Sequence, residues 1–146
     1  MKKILSVLVM AMMAIQFINA GEVVTLDEKR LPAEARSFIN QHFSDLKISY
    51  IKIDSEFLQL KKYEVVLING AEIEFDSKGN WIEVDTKRQQ VPANIIPAAI
   101  KDYVSSNFSN NIITKIERER YGFDVELDND LSVKFNKKGM FLRLDD

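Results

Sequence analysis

An internal repeat constrains the fold of this chain more than any other feature of its sequence. Two segments open on an aliphatic residue followed by proline, close on Phe-Ser, and begin 65 positions apart. Two further pairs of segments match at an offset of 60 positions. The matching pairs are 31–44 with 96–109, 63–67 with 123–127, and 73–79 with 133–139. Because the matches occur in the same order along the chain, they indicate one structural unit present twice.

Each copy predicts a helix followed by four strands. The proline fits the first turn of a helix, and the apolar residues after it recur at helical spacing. The segments that follow alternate apolar and polar residues, as half-buried strands do, and Asn69-Gly70 predicts a tight hairpin between two of them. The predicted strands are 47–54, 60–68, 71–76 and 80–85, then 112–120, 122–128, 131–136 and 140–145. The predicted class is α+β, with two tandem repeats, each one helix packed on a four-stranded antiparallel sheet.

The N-terminus predicts export. Lys2 and Lys3 precede an apolar run at 4–17, and Ala20 offers a small residue for cleavage. The alternative, an uncleaved anchor, is disfavoured because the run is shorter than the ~20 residues that span a bilayer. We expect a periplasmic or secreted protein that leaves the membrane after cleavage. The predicted organisation is a signal peptide at 1–20, a flexible leader at 21–30, the first repeat at 31–85, a connector at 86–95 and the second repeat at 96–146.

Composition excludes several classes of protein. The chain has no cysteine, so it holds no disulfide and no thiolate metal site. Its net charge is −2, and −4 without Lys2 and Lys3, which disfavours nucleic acid and anionic lipid as partners. Its stability therefore depends on a packed core, and its length is sufficient for one.

The sequence predicts neither an enzyme nor a metal or cofactor site. His42 is the only histidine, and its place near the end of a helix favours a structural role over catalysis. The alternating carboxylates from Asp124 to Asp130 suggest calcium, but an EF-hand loop there needs glycine at 129 and glutamate at 135, where the chain has Asn129 and Phe135. Alternating carboxylates are also typical of the solvent face of a strand.

The outer face of the sheet is the predicted binding surface. By strict alternation Trp81 shares a face with Glu83, Phe141 shares one with Arg143, and Val66 shares one with Glu64. Exposed aromatic residues are favoured anchors of protein interfaces. The other interpretation is that these apolar side chains are partly buried at the joint between the copies. The candidate partner-binding residues are Trp81, Glu83, Glu64, Val66, Phe141 and Arg143.

The repeated pattern resembles a known family. An aliphatic-Pro-Ala helix, a Tyr/Phe-x-Val-x-Leu strand, an Asn-Gly hairpin and the segment 72–81 (EIEFDSKGNW) are similar to the PepSY-like, beta-lactamase-inhibitor-like secreted proteins of gut Bacteroidetes. The resemblance covers 31–146. It implies two helix-plus-four-strand modules, like the beta-lactamase inhibitor protein, which unlike this chain has a disulfide.

The expected function is an exported, non-enzymatic binding module with a protein partner. A specific form of this hypothesis is inhibition of an envelope hydrolase, either a peptidase or a beta-lactamase. The alternative is a structural or sensing protein of the envelope that binds a small ligand or cation between the repeats.

Overall fold

The computed structural model describes residues 15–19, 21–55 and 61–145 of the 146-residue chain, and for 15–19 it describes the backbone alone. Most of the predicted signal peptide therefore lies outside the described residues. The strands are β1 (Ile15–Asn19), β2 (Glu22–Thr25), β3 (Ile48–Asp54), β4 (Lys62–Leu67), β5 (Glu72–Phe75), β6 (Trp81–Asp85), β7 (Ile113–Arg118), β8 (Gly122–Leu127), β9 (Ser132–Asn136) and β10 (Phe141–Asp145). The α-helices are α1 (Ala33–His42) and α2 (Ala98–Asn107).

Both helices begin as the sequence predicts. Pro32 and Pro97 are the N-cap residues, so the missing proline N–H costs no hydrogen bond. Phe43 and Phe108 end the helices, and the backbone N–H of Phe43 still donates to the carbonyl oxygen of Ile39 at 2.8 Å. Among the described residues, neither helix has the length and apolar character that a bilayer crossing requires.

All ten strands belong to one antiparallel sheet, in the order of the sequence. The α+β class is confirmed, but the strands form a single sheet instead of two separate four-stranded ones. Strand β6 of the first half pairs with β7 of the second, with Val84 opposite Ile116. This pairing joins two strand edges that would otherwise leave backbone hydrogen-bonding groups open. Without β1, which lies within the predicted signal peptide, nine strands remain.

The predicted flexible leader at 21–30 is wrong. Glu22–Thr25 forms β2 and pairs with β3, with Val23 opposite Ile53. Asp27 then caps a short 3-10 helix, Glu28–Arg30, by accepting a hydrogen bond from the backbone N–H of Lys29 at 3.1 Å. The β-branched pair Val23-Val24 favours a strand, and the edge of β3 supplies its partner. The sheet therefore continues into this segment.

The predicted connector at 86–95 is packed against the second half. Its Val91 is fully buried, and the backbone N–H of Val91 donates to the carbonyl oxygen of Ile113 at 2.8 Å. Thr86 is also buried, and its hydroxyl donates to the carbonyl oxygen of Thr114 at 2.9 Å. The two halves are thus held together by a buried segment as well as by the sheet.

One row of aliphatic side chains runs across the sheet and forms the centre of the core. Its members lie opposite one another on successive strands, and each is no more than 1% exposed: Ile51, Val65, Ile73, Val84, Ile116, Val125 and Val133. Ala35 and Ile39 of α1 and Ile100 and Val104 of α2 belong to the same core. Both helices therefore lie on one face of the sheet, and neither lies on the other.

Candidate functional site: the charged face of the sheet

The face opposite the helices carries a continuous line of charged residues, which we name the charged row. Each member lies directly opposite the next on the neighbouring strand, from β3 to β10. The members are Lys52, Glu64, Glu74, Glu83, Glu117, Asp124, Lys134 and Arg143. The five central members are all carboxylates, and paired strands lie about 4.8 Å apart. The middle of the row is therefore acidic, and its two ends are basic.

Lysines neutralise most of these carboxylates. Lys52 lies 3.4 Å from Glu64, Lys62 lies 2.9 Å from Glu74, and Lys115 lies 3.1 Å from Glu83. The hydrogen bond and the charge of Glu74 raise the pKa of Lys62 above its ordinary value. At the other end Lys134 contacts Asp124 at 3.1 Å and Asp145 at 3.0 Å. Each such half-exposed pair contributes little stability alone, but together they fix the positions of the charges.

Glu117 is the exception. Among the described residues no cation lies within ion-pair distance of its carboxylate, which has Glu83 on one side and Asp124 on the other. Burial raises the pKa of Glu117, and the negative charges of Glu83, Glu119 and Asp124 raise it further. The charge of Lys115 offsets this only in part, so the junction between the two halves of the chain holds a carboxylate without an ion-pair partner.

A second line of residues runs beside the charged row on the same face. In it Tyr50 lies opposite Val66, and Val66 lies opposite Glu72. Val66 is on the predicted face but is only 7% exposed, so it contributes little surface. Lys87 bridges the next two carboxylates, at 2.9 Å from Glu72 and 2.8 Å from Asp85. This line too is held by ion pairs.

The predicted site is divided between the two faces. Glu64, Glu83 and Arg143 lie in the charged row, as strict alternation predicted. Trp81 does not: it lies opposite Phe75, its ring is 6.3 Å from that of Phe38 on α1, and it is 8% exposed. The prediction that Trp81 lies on the outer face is wrong.

Phe141 also lies on the helix face. It is opposite Phe135, and its ring stacks on Tyr103 of α2 with ring centroids 5.0 Å apart. The cause is the same in both halves. The pairing register shifts at Ile82 in β6 and at Leu142 in β10, so each strand has one extra residue there. Such a bulge turns the residues before it to the opposite face.

The same aromatic position has a different exposure in each half. Phe141 is 40% exposed whereas Trp81 is almost buried. Beyond β6 lies β7, whose Arg118 places its guanidinium carbon 3.8 Å from the Trp81 ring centroid. Strand β10 ends the sheet, so no further strand covers Phe141.

Sequence reasoning missed the lysines of this face, and it missed Glu117 and Arg118. Alternation within a strand gives the face of a residue such as Glu117, but it gives no register between strands. Without the register, neither the ion pairs nor the isolated position of Glu117 can be deduced. A comparison of the charged residues on neighbouring strands is the sequence signal that could have indicated which lysines and carboxylates pair.

The lone histidine of the chain lies in an aromatic contact on α1. His42 packs on Phe38 with ring centroids 4.6 Å apart, and burial lowers its pKa. Within residues 21–55 and 61–145, no group of three or more histidine, aspartate or glutamate side chains has an arrangement that could hold a metal ion.

The family model described as "Putative beta-lactamase-inhibitor-like, PepSY-like" matches residues 61–143. No curated protein matches the chain. Several solved structures are similar to it, among them three from Bacteroides species. A "putative periplasmic protein of unknown function" from Bacteroides vulgatus is 45% identical, with a TM-score of 0.83, over 86% of this chain and 100% of that one.

The second structure, from Bacteroides thetaiotaomicron, is a "putative calcium-regulated periplasmic protein". It is 45% identical, with a TM-score of 0.77, over 81% of this chain and 92% of that one. The third, a "putative periplasmic protein" from Bacteroides vulgatus, is 36% identical, with a TM-score of 0.75 and the same coverage. The sequence match, the sheet and the two helices lead to one conclusion: the chain belongs to the PepSY-like, beta-lactamase-inhibitor-like family.

Proposed function

We propose that this protein is an exported binding module that captures a protein partner through the charged face of the sheet. The observation that carries the proposal is the charged row, which crosses eight strands on the face that neither helix covers. At about 4.8 Å per strand the row is about 33 Å long, which is the dimension of an ordinary protein interface. Seven of its eight side chains, all but that of Glu117, form ion pairs, so little conformational freedom is lost on binding.

The acidic centre of the row defines the kind of partner. Lysines pair with the other four carboxylates of the row, so the unpaired negative charge is that of Glu117, which would face a basic group of the partner. Complementary charge speeds association and excludes acidic competitors. The family description supports a hydrolase of the envelope, a beta-lactamase or a peptidase, as the partner to be inhibited. The periplasmic location of the similar Bacteroides proteins supports the same compartment for this chain after removal of residues 1–20.

We propose a role without catalysis. A catalytic histidine needs an oriented partner that holds its ring in one tautomer. Among the described residues His42 makes no side-chain hydrogen bond and instead packs on Phe38. This arrangement supports a packing role for the histidine.

Inhibition assays test the proposal. Residues 21–146 are added at micromolar concentration to a purified class A beta-lactamase and to a periplasmic peptidase preparation. We expect inhibition of one of them, and at least tenfold weaker inhibition by Glu117→Lys, which reverses a charge without breaking an ion pair. Asp102→Lys, an exposed position on α2, is the matched control and should inhibit like the wild type.

Two outcomes would count against the proposal. Absence of inhibition by the wild type would reject the inhibitor role. Equal inhibition by Glu117→Lys and Asp102→Lys would show that the charged face is not the binding surface.

The second candidate is a sensing protein that binds a cation between the two halves. It is supported by the juxtaposition of Glu83 and Glu117 across the β6–β7 junction and by the "calcium-regulated" description of one relative. Exported calcium modules bind with a Kd of roughly 0.1–1 mM. Calcium chloride in that range should then raise the melting temperature of the wild type and leave that of Glu117→Gln unchanged. Magnesium chloride is the control for ionic strength.

A further inference from the structure

A cleft of about 240 Å³ lies on the helix face, where the two halves meet. Helix α1 forms one wall with Glu34, Ser37 and Gln41, and the opposite wall consists of Asn80, Trp81 and Arg118. The first five residues belong to the first half of the chain, and Arg118 belongs to the second. The cleft therefore exists only because β7 continues the sheet beyond β6.

Arg118 has an unusual environment in this cleft. Its guanidinium carbon lies 3.8 Å from the ring centroid of Trp81, and its Nη1 donates to the carbonyl oxygen of Trp81 at 3.3 Å. No carboxylate among the described residues lies within ion-pair distance of it, whereas lysines on the other face are paired. Burial lowers the pKa of Arg118, and the charge of Asp76 offsets this only in part.

The guanidinium of arginine has five N–H donors in one plane. Stacking on Trp81 fixes the orientation of this plane, and the described protein uses a single donor. The donors that remain are arranged to meet the two oxygens of a carboxylate or phosphate side by side. Arg118 is exposed and has no ion-pair partner among the described residues, so these donors are accessible to an anion that enters the cleft.

The other groups in the cleft select among anions. Glu34 stands in the wall and repels a doubly charged phosphate more strongly than a singly charged carboxylate. The ring of Phe38, which is partly exposed, offers an apolar surface, and Ser37, Gln41 and Asn80 offer hydrogen bonds to an amide. We propose that this cleft binds a carboxylate attached to an apolar group, such as the C-terminal residue of a peptide, with Arg118 as its anchor.

Trp81 is the only tryptophan of the chain, so its fluorescence reports directly on the cleft. Residues 21–146 are titrated with N-acetylphenylalanine, with N-acetylphenylalaninamide, which lacks only the carboxylate, and with inorganic phosphate. We expect a saturable change of fluorescence with the acid in the millimolar range, and at least tenfold weaker responses to the amide and to phosphate.

Variants of Arg118 test whether this residue is responsible for the fluorescence response. Arg118→Gln should abolish the response to the acid, and Arg118→Lys should weaken it at least tenfold, because an ammonium group cannot replace the planar pair of donors. Arg120→Gln, an exposed position two residues along the chain, is the control and should titrate like the wild type. Circular dichroism melts verify folding, and Arg118→Lys decides the result if Arg118→Gln is unfolded.

Three results would overturn the assignment. An amide that binds as well as the acid would remove the need for a carboxylate, and phosphate that binds as well would make the site a general anion site. An unchanged titration of Arg118→Lys would exclude the guanidinium as anchor. Glu117 lies on the opposite face of the sheet, so Glu117→Lys should leave this titration unchanged. The test of the cleft is therefore independent of the proposed function.

Discussion

Glu117 is the one member of the charged row without an ion-pair partner among the described residues. It stands between the carboxylates of Glu83 and Asp124 on neighbouring strands. Its pKa is raised by burial first and by these negative charges second. The folded state therefore holds the proton of Glu117 more tightly than the unfolded chain does, and the ionised carboxylate opposes folding.

The stability of Glu117→Gln should accordingly depend on pH. As pH rises from the ordinary glutamate pKa, about 4.3, through the raised pKa of Glu117, the wild type loses free energy of unfolding that the glutamine variant keeps. Urea unfolding should show the variant more stable at pH 7 by a few tenths of a kcal/mol, a small value because the side chain is half exposed. The difference should vanish below about pH 4.

Asp102→Asn on the exposed side of α2 is the control and should give no pH-dependent difference from the wild type. A variant of Glu117 that is less stable than the wild type at pH 7 would show that an attraction to Lys115 outweighs the repulsion.

Trp81 illustrates the limit of prediction for a single side chain. The prediction that Trp81 lies in a strand was correct. The predicted face was wrong, because one extra residue at Ile82 inverts the alternation. A bulge is a property of two paired strands, and the sequence of one strand does not reveal it. Glu64 and Glu83 lie on the predicted face because the pairing is regular at both residues. Glu64 lies opposite Glu74, and Glu74 lies opposite Glu83.

Among the structural elements, the turns after β5 and β9 are tightly constrained. In the turn after β5, Asp76 accepts hydrogen bonds from the backbone N–H groups of Lys78 and Asn80, both at 2.9 Å. Gly79 follows with φ +90 and lies against the start of α1, where an added Cβ would come within 2.8 Å of the Ala35 backbone nitrogen. Gly139 occupies the same position under α2.

Gly79→Ala should therefore be costly. The variant combines a left-handed backbone conformation with a clash against backbone, and we expect a loss of about 2–4 kcal/mol in the free energy of unfolding. Gly70→Ala has the same sign of φ, +87, but no atom within 4 Å of the added Cβ, so it should lose only about 1 kcal/mol. Urea denaturation measures both, and equal losses would show that the contact with α1 is unimportant.

The helices and the strands after residue 46 were predictable because their signals are local. Proline before each helix, alternation within each strand and the Asn69-Gly70 turn need no knowledge of distant residues. Strand β2 was not predicted because Glu22–Thr25 is short and acquires its structure from the edge of β3.

The continuous sheet joins the two halves into one cooperative structure. The aliphatic row passes through Val84 and Ile116 at the junction without a gap, and both residues are fully buried. The repeat in the sequence predicted two similar units, but it could not show whether their sheets join, because the pairing of β6 with β7 is a contact between the two copies and not within either one.

Ile116→Ala should destabilise both halves together. Removing a buried isoleucine side chain costs about 2–5 kcal/mol, and the cavity lies where the two halves share their core. Trp81 fluorescence reports on the first half and circular dichroism on both, and in urea the two curves should shift by the same amount. Separate midpoints would show that the halves unfold independently. Lys115→Ala, partly exposed on the other face, removes no core side chain and should shift both curves little.

Strand β10 is an edge strand of the sheet and has exposed apolar side chains. Phe141, Leu142 and Leu144 are each at least 40% exposed. A flat strand of this kind would serve as a template for a neighbouring copy. The extra residue at Leu142 bends the strand, and Arg143 and Asp145 add charge beside the bend. An approaching copy therefore meets a bent, charged edge strand. Such an edge disfavours strand pairing between molecules and so limits extension of the sheet from one molecule to the next.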